Sequence, residues 1–279
     1  MSTVDAVVDA VVEIAPDLRA ALAETRGTKS GRNPSGDQQS GADRALDDLF
    51  YEALAALDGV GEFASEERDG VEDVGEGFSV AIDPLDGSSN LRSNTTVGAI
   101  LAVYDADLPA SGEDLLAGMV LVFGPATTLT VAADGEATEH VLDDGEIVDS
   151  SPVSLTDAED VWGLAGGPDE WSDSVTAFAD DLYHRAKLRY TGAMVADVQH
   201  LLAIGGIVGY PAQRSRPDGV LRLQYESNPV AYLVECAGGA ASTGDQRILD
   251  VEPSELHERI PTFFGTQSLI DELEERIGE

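Results

Sequence analysis

The sequence contains little basic charge. Its 279 residues include 16 Lys and Arg against 53 Asp and Glu, and only Lys29 and Lys187 are lysines. This composition argues against nucleic acid as a partner, because phosphate contacts require a basic surface. The formal net charge of -37 is spread along the chain. It predicts a surface adapted to a high-salt cytoplasm, since at about 1 M salt the Debye length is only about 3 Å.

Cysteine and long hydrophobic runs are also scarce. Cys236 is the only cysteine, which excludes an internal disulfide. The longest apolar stretches, such as LLAIGGIVGY at 201–210, are too short to span a bilayer, and the N-terminus lacks a basic region followed by an apolar core. With 43% hydrophobic residues the chain can still bury a substantial core. We therefore expect a globular, cytoplasmic protein without a membrane partner.

Hydrophobic periodicity predicts a mixture of helices and strands. Helices are expected at 4–24, where Pro16 marks a break or a second start, and at 43–57. Strand-like runs follow at 61–65, 78–82, 97–105, 118–124 and 127–133. In the second half, helices are expected at 173–185, 193–206 and from 228, and strands at 219–225 and 246–253. These patterns predict an α/β or α+β fold.

A polar stretch from 141 to 160 separates the two halves of the sequence. We place a domain boundary near residue 155, with an N-terminal α+β domain at 1–155 and a C-terminal α/β domain at 156–279. The two domains are expected to share a cleft.

Two aspartates and a donor-rich loop occur together in the stretch IDPLDGSSN at 82–90. Asp83 and Asp86 lie three residues apart at the end of a predicted strand. The next residues are small or polar, and their backbone N–H groups suit an anion: Gly87, Ser88, Ser89 and Asn90. A simple turn is the alternative. Paired carboxylates beside an anion-accepting backbone favour a site where Mg²⁺ or Mn²⁺ bridges carboxylates to a phosphate.

Further carboxylates occur in the stretch ASEE at 64–67. Adjacent residues on a strand point to opposite faces, which allows one of Glu66 and Glu67 to bind a metal and the other to contact water. A solvated turn is the alternative interpretation of this pair.

The few basic residues of the second half form two groups, at 184–189 and 214–222. Arginine favours planar, bidentate contacts to phosphate, so these groups are candidates for receiving an anionic substrate. The alternative is that they form ion pairs with the acidic surface.

Several motifs in the chain resemble those of the class I fructose-1,6-bisphosphatases, which belong with inositol monophosphatase to the metal-dependent, lithium-sensitive phosphatases. The motifs, in order, are GDQ, ASEE, IDPLDGSSN, YTGAMVADV, GGIVGYP and LRLQYESNPVAYLVECAGG. The resemblance runs from about Asp37 to Thr266. It implies a layered α-β-α-β-α sandwich and hydrolysis of the 1-phosphate of fructose 1,6-bisphosphate to fructose 6-phosphate and phosphate in gluconeogenesis. It also implies a homodimer or homotetramer.

The resemblance further implies roles for individual residues. Two or three Mg²⁺ ions, with Mn²⁺ possible, would be bound by Asp37, Glu66, Asp83, the Leu85 carbonyl, Asp86 and Glu226. Asp43 and Glu67 would orient and deprotonate the attacking water. The resemblance, the two groups of basic residues and the donor-rich loop at 87–90 together predict a set of substrate-binding residues. The set is Gly87, Ser88, Ser89, Arg189, Tyr190, Tyr210 and Arg222. The family's equivalent of Arg189 reaches into the neighbouring subunit's site.

The sequence departs from the family pattern at two places. A substrate-contacting lysine of the family is Val220 here, and an Asn and a Tyr of the family fall in GLAGGP at 163–168. Arg214 or Arg216 is a candidate replacement. The alternative substrates are sedoheptulose 1,7-bisphosphate and inositol or nucleotide monophosphates. A non-catalytic, metal-binding regulatory protein is a further alternative, and the complete set of matched acidic residues argues against it.

Overall fold

The computed structural model describes residues 2–25, 29–33 and 38–278. The helices are α1 (Thr3–Thr25), α2 (Gly41–Leu54), α3 (Asp173–Arg185), α4 (Met194–Ile204), α5 (Asn228–Cys236) and α6 (Gln267–Ile277). The strands are β1 (Lys29–Arg32), β2 (Gln38–Ser40), β3 (Val60–Ser65), β4 (Glu72–Asp73), β5 (Phe78–Asp86), β6 (Val97–Tyr104), β7 (Leu115–Phe123), β8 (Thr127–Ala133), β9 (Glu136–Asp143), β10 (Glu146–Pro152), β11 (Val161–Leu164), β12 (Lys187–Leu188), β13 (Gly206–Tyr210), β14 (Leu221–Arg222), β15 (Ala240–Ser242), β16 (Arg259–Ile260) and β17 (Thr262–Gly265).

Most strands belong to two sheets. The first has eight strands in the order β10-β9-β8-β7-β6-β5-β3-β4, and only its β3–β5 pair is parallel. The second has five strands in the order β12-β11-β13-β17-β15, of which β12, β11 and β13 run parallel. The hydrophobic alternation along β6 shows how the first sheet is covered. Leu101 packs with α1 and α2, whereas Ile100 and Ala102 face the opposite side.

The helices form three layers around the two sheets. Helices α1 and α2 cover one face of the eight-stranded sheet, α4 and α5 lie between the sheets, and α3 and α6 cover the far face of the five-stranded sheet. Each layer buries its own cluster of apolar side chains. The predicted layered α-β-α-β-α fold is therefore confirmed.

Three expectations about local structure were wrong. Helix α1 continues through Pro16, because Val11, Ala15 and Leu18 keep one buried face against the sheet. At 219–225 only Leu221–Arg222 form a strand, and a π-helical turn follows at Leu223–Ser227. At 246–253 the chain forms a short 3-10 turn at Ile248–Asp250. Every residue from 221 to 231 is buried, so alternation could not identify a strand there.

Within the described parts of the chain, we find no helix that combines the length and the apolar character needed to cross a membrane.

Candidate active site

Backbone N–H groups hold the two aspartates at the end of β5 in place. The Leu85 N–H donates to Asp83 Oδ1 at 2.9 Å and holds that carboxylate in a tight turn. The Val195 N–H, in the first turn of α4, donates to Asp86 Oδ2 at 2.8 Å. Since the N-terminus of a helix favours negative charge, α4 fixes the position of Asp86.

Gly87 turns the chain from β5 into the donor-rich loop. Its φ of 77° lies in the left-handed region, and a Cβ added there would be 2.4 Å from the Cβ of Ala193. The 3-10 turn Ser88–Leu91 follows. The side-chain amide of Asn90 donates to the Thr191 carbonyl at 3.1 Å, which fastens the loop to the chain that leads into α4.

Replacing Gly87 with Ala is therefore expected to destabilise the protein by about 1–3 kcal/mol, through left-handed strain and the contact with Ala193. The control is Gly167→Ala, because an added Cβ at Gly167 has no neighbouring atom within 4 Å. Chemical denaturation in molar KCl measures both effects. Equal changes in unfolding free energy for the two variants would contradict the account of Gly87.

Asp43 and Glu67 approach the same space from two different elements. Ser40 caps α2, its hydroxyl accepting the Asp43 N–H at 3.3 Å while Asp43 Oδ2 accepts the Ser40 N–H in return. Glu67 follows β3, where its N–H donates to Ser65 Oγ at 3.2 Å and its carboxylate accepts a hydrogen bond from Gln39. Both carboxylates are thus held by local structure on the cavity wall.

Arg222 lies between two of the predicted metal ligands. Its guanidinium is 2.8 Å from Glu66 Oε1 and 3.6 Å from Glu226 Oε2. The Arg222 N–H also donates to Glu226 Oε2 at 2.6 Å, within the turn that enters the π-helical segment. Arg222 therefore places a positive charge between the buried carboxylate of Glu226 and the partly buried carboxylate of Glu66.

These residues surround one cavity of about 400 Å³. Its lining consists of Asn33, Asp43, Glu66, Glu67, Asp83, Leu85, Asp86, Gly87, Ser88, Ser89, Gly192, Arg216, Val220, Leu221, Arg222 and Glu226. The carboxylates of this lining come from the start of α2, the segment after β3, the end of β5 and the π-helical turn before α5. Four separate stretches of sequence thus supply the acidic side chains of one cavity.

Three predicted substrate contacts lie outside that lining. Tyr210 is buried and donates its hydroxyl hydrogen to Asp197 Oδ2 at 3.2 Å. The ring of Tyr190 lies 6.3 Å from that of Tyr210 and is partly exposed. Arg189 is exposed and donates to the neighbouring Leu188 carbonyl at 2.9 Å. Asp37 lies outside the described residues.

The two basic groups have different environments. Arg185 pairs with Glu159 and Glu272 on the surface, as the ion-pair interpretation predicts. Arg214 is exposed and lies 3.8 Å from Asp173. Arg216 and Arg222, by contrast, line the cavity. Of the second group, Arg216 and Arg222 therefore supply positive charge to the cavity that also contains the predicted phosphate-binding loop at Gly87–Ser89.

Comparison with known proteins assigns the chain to a family. Family models described as the N-terminal and C-terminal domains of fructose-1,6-bisphosphatase match residues 3–149 and 155–277. The chain belongs to the fructose-1,6-bisphosphatase family. The resemblance found in the sequence motifs is thereby confirmed, and the protein is a phosphatase of this family.

The relatives match along nearly the whole chain. A class 1 fructose-1,6-bisphosphatase of Haloarcula marismortui is 46% identical over 99% of this chain and 95% of its own. The class 1 enzyme of Halobacterium salinarum is 46% identical over 97% of this chain and 96% of its own. Both relatives come from halophiles, in agreement with the salt adaptation that the acidic composition predicts. The holo form of Leishmania major fructose-1,6-bisphosphatase superimposes with a TM-score of 0.91, 27% identity, and coverage of 98% of this chain and 93% of that one.

The fructose-1,6-bisphosphatase cavity contains more negative charge than its surroundings neutralise. Burial, followed by the charges of Glu66 and Asp43, raises the pKa of Glu67 to about 8. Burial also raises the pKa of Asp43 to about 6, against the hydrogen bonds from Ser40. The pKa values of Asp83, Asp86 and Glu226 are raised as well, in each case mainly by burial. Such a cluster is in a favourable state only when protonated or when a cation is present.

Membership of this family implies a divalent metal cofactor. Within residues 2–25, 29–33 and 38–278, no three Asp, Glu, His or Cys side chains are close enough together to hold a metal ion in this conformation. The chemistry of the donor set nevertheless fits such an ion. The cavity offers carboxylate oxygens without thiol or imidazole ligands in its lining, and hard divalent cations prefer oxygen ligands.

Two residues that hold site carboxylates in place were not predicted from the sequence. The Asn33 side-chain amide donates to Glu66 Oε1 at 3.1 Å, and Gln39 donates to Glu67. Both residues belong to the segment before α2, which carries no hydrophobic periodicity. The GDQ motif and the capping pattern of Ser40 followed by Asp43 indicate that a helix begins here, but not these side-chain contacts.

Proposed function

We propose that this protein removes the 1-phosphate of fructose 1,6-bisphosphate, giving fructose 6-phosphate and phosphate in gluconeogenesis. The observation that carries the proposal is the cavity in which carboxylates from four separate stretches of the chain lie beside the donor-rich loop at Gly87–Ser89. Two relatives that are 46% identical over nearly the full chain are class 1 fructose-1,6-bisphosphatases, which supports the same reaction.

We propose Mg²⁺ as the metal, with Mn²⁺ as a substitute and two or three ions per site. The ligands would be Asp37, Glu66, Asp83, the Leu85 carbonyl, Asp86 and Glu226. When bound, the metal supplies charge that stabilises the phosphoryl oxygens and the leaving alkoxide. On this proposal Glu66 and Glu226 would hold the metal in place of their contacts with Arg222, whose guanidinium would then be available to bind the phosphate.

Asp43 and Glu67 act on the attacking water. Asp43 uses Oδ2 to accept the Ser40 N–H, which leaves its second oxygen for another partner. Glu67 is oriented by its hydrogen bond from Gln39. Two fixed carboxylates can hold one water in line with the phosphorus and accept its proton, and such general-base catalysis contributes about 10²–10⁴-fold.

The chain's own donors hold the substrate. The first N–H groups of the turn at Ser88 and Ser89 have no partner within that turn, which makes them donors for the scissile phosphate. We propose that Arg216, which also lines the cavity, supplies positive charge for the phosphate contacts that Val220 does not make. Tyr190 and Tyr210 would contact the far phosphate, and Arg189 would reach the site of a neighbouring subunit in a cytoplasmic homodimer or homotetramer.

Phosphate release from a panel of compounds tests the proposal. The panel comprises fructose 1,6-bisphosphate, sedoheptulose 1,7-bisphosphate, fructose 6-phosphate and an inositol monophosphate, assayed with Mg²⁺ in molar KCl. We expect the highest kcat/KM with fructose 1,6-bisphosphate, and phosphorus NMR should identify fructose 6-phosphate as the product. A higher kcat/KM with sedoheptulose 1,7-bisphosphate would agree with the proposed hydrolysis but contradict fructose 1,6-bisphosphate as the preferred substrate.

Val220 is the reason for keeping a second sugar bisphosphate in the panel. It lines the cavity with an apolar side chain where the sequence resemblance implies a lysine, so one charged contact that would select among sugar bisphosphates is missing.

Introducing that charge is expected to tighten binding. We predict that Val220→Lys lowers the KM for fructose 1,6-bisphosphate by about tenfold, since a hydrogen bond to a charged group is worth about 1.5–3 kcal/mol. Val220→Met is the control, because it adds length without charge. Steady-state kinetics at constant Mg²⁺ measure both variants. An unchanged KM in Val220→Lys would mean that Val220 does not face the substrate.

A further inference from the structure

Arg68 follows Glu67 directly and lies against helix α2. Its Nε donates to Asp47 Oδ2 at 2.9 Å, and one terminal nitrogen donates to Glu72 Oε1 at 2.6 Å. The guanidinium carbon lies 4.0 Å from the centre of the Tyr51 ring. Arg68 is thus held by two carboxylates and an aromatic face at the same time.

This ion pair is more deeply buried than the surface pairs of the chain. The side chains of Arg68 and Asp47 are 19% and 6% exposed, whereas Arg276, which pairs with carboxylates on α3 and α6, is 32% exposed. Exposed pairs contribute little, but a buried pair that loses one partner leaves an uncompensated charge. The chain has few basic residues, and Arg68 is one that lies mostly buried in an ion pair and not on the surface.

The pair connects the two carboxylates assigned to the attacking water. Asp47 lies one turn after Asp43 on α2, and residues four apart on a helix share one face. Arg68 is the next residue after Glu67 at the end of β3. The described lining of the cavity contains neither Arg68 nor Asp47, so both can influence the reaction only through their neighbours.

We propose that the Arg68–Asp47 ion pair is a positioning element that sets the separation between Asp43 and Glu67 and the direction of Glu66 and Glu67. This inference rests on the proposed function, because it assigns those carboxylates to water and metal. The packing supports it, since the aromatic face of Tyr51 and the carboxylate of Asp47 restrict the arginine on the α2 side while Glu72 restricts it on the β4 side.

Kinetics of matched variants test the proposal. Arg68→Met removes the charge at similar length, Asp47→Asn preserves the shape of the acceptor, and Arg68→Lys keeps the charge without the planar fork. Arg276→Met is the control, because Arg276 also bridges two elements through carboxylates and lies over the Phe178 ring. Thermal unfolding in molar KCl records the stability of every variant.

We expect Arg68→Met to lower kcat for fructose 1,6-bisphosphate by about 10–100-fold while KM changes by less than about threefold, because small misplacements of acting groups reduce the rate steeply. Asp47→Asn should show the same pattern, and Arg68→Lys should recover part of the rate. Arg276→Met should keep kcat within about twofold of the parent. A kcat in Arg68→Met close to that of the parent, or an equal loss in Arg276→Met, would overturn the proposal.

Titration of the proteins with Mn²⁺ alone gives a second measurement that needs no turnover. Arg68→Met is expected to bind Mn²⁺ about tenfold more weakly than Arg276→Met, as is typical when a group behind a metal ligand is lost. Equal Mn²⁺ affinities would contradict the positioning of Glu66. If the parent protein released no phosphate from any compound, the proposed reaction would fail, and the Mn²⁺ titration would still decide the role of Arg68.

Discussion

The Asp43→Asn variant is expected to lose about 1000-fold in kcat for fructose 1,6-bisphosphate, within the range that a general base contributes. Asparagine matches aspartate in shape, and its carbonyl oxygen can still accept the Ser40 N–H that begins α2. The helix start and the cavity wall are therefore preserved. The variant loses the negative charge of Asp43 and, with it, the ability to accept a proton from water.

Measuring metal affinity distinguishes a general-base role of Asp43 from a role as a metal ligand. We expect the Mn²⁺ affinity of Asp43→Asn to stay within about threefold of the parent, because the proposed ligand set does not include Asp43. Asp9→Asn, on the exposed side of α1, is the control for the loss of one negative charge. A variant that keeps more than a tenth of the parental kcat, or that loses Mn²⁺ binding, would show that Asp43 has a different role.

The second large effect is a fall in the stability of the metal-free protein as the pH rises from about 5 to about 8. Unfolded carboxylates ionise near pH 4. In the folded protein the pKa is raised to about 6 for Asp43 and to about 8 for Glu67. At a pH above the unfolded pKa and below the folded pKa, each of these carboxyls keeps its proton in the native state but has released it in the unfolded state. Each such group therefore removes up to about 1.4 kcal/mol of stability per pH unit.

Thermal unfolding with EDTA in molar KCl measures this slope, since salt at that concentration screens the exposed charges. We expect Tm to be roughly 10 °C lower at pH 8 than at pH 5. Mg²⁺ should raise Tm more at pH 8 than at pH 5, because ligands must be deprotonated to bind it. Glu226→Gln should reduce the slope, as it removes one buried carboxyl with a raised pKa. A metal-free Tm that is constant or rises over this range would contradict the account.

Local sequence patterns could predict the parts of the site that lie on regular elements. Asp83 and Asp86 end a strand with a clear apolar run, and Gly87 follows where only glycine fits the left-handed backbone. The helices at 173–185 and 193–206 were also close to α3 and α4, because their apolar spacing is local information. The order of the motifs along the chain then indicated the fructose-1,6-bisphosphatase family.

The contacts that join distant segments could not be predicted from such patterns. The pairing of Asp86 with the start of α4 spans more than 100 residues, and the Arg68–Asp47 pair depends on how α2 packs beside β3. The π-helical turn that carries Glu226 is fully buried, and its backbone is set by tertiary bonds such as the one between the Tyr104 hydroxyl and the Gln224 carbonyl. Periodicity contains no information about bonds of this kind.

Phosphate release from fructose 1,6-bisphosphate, followed in molar KCl with Mg²⁺, after EDTA and after restoration of Mg²⁺, tests the central claim most directly. We expect turnover with Mg²⁺, its loss in EDTA, and its recovery when Mg²⁺ is added back. Turnover that continues unchanged in excess EDTA would contradict the metal-dependent mechanism. The absence of phosphate release with Mg²⁺ would contradict the proposed reaction itself.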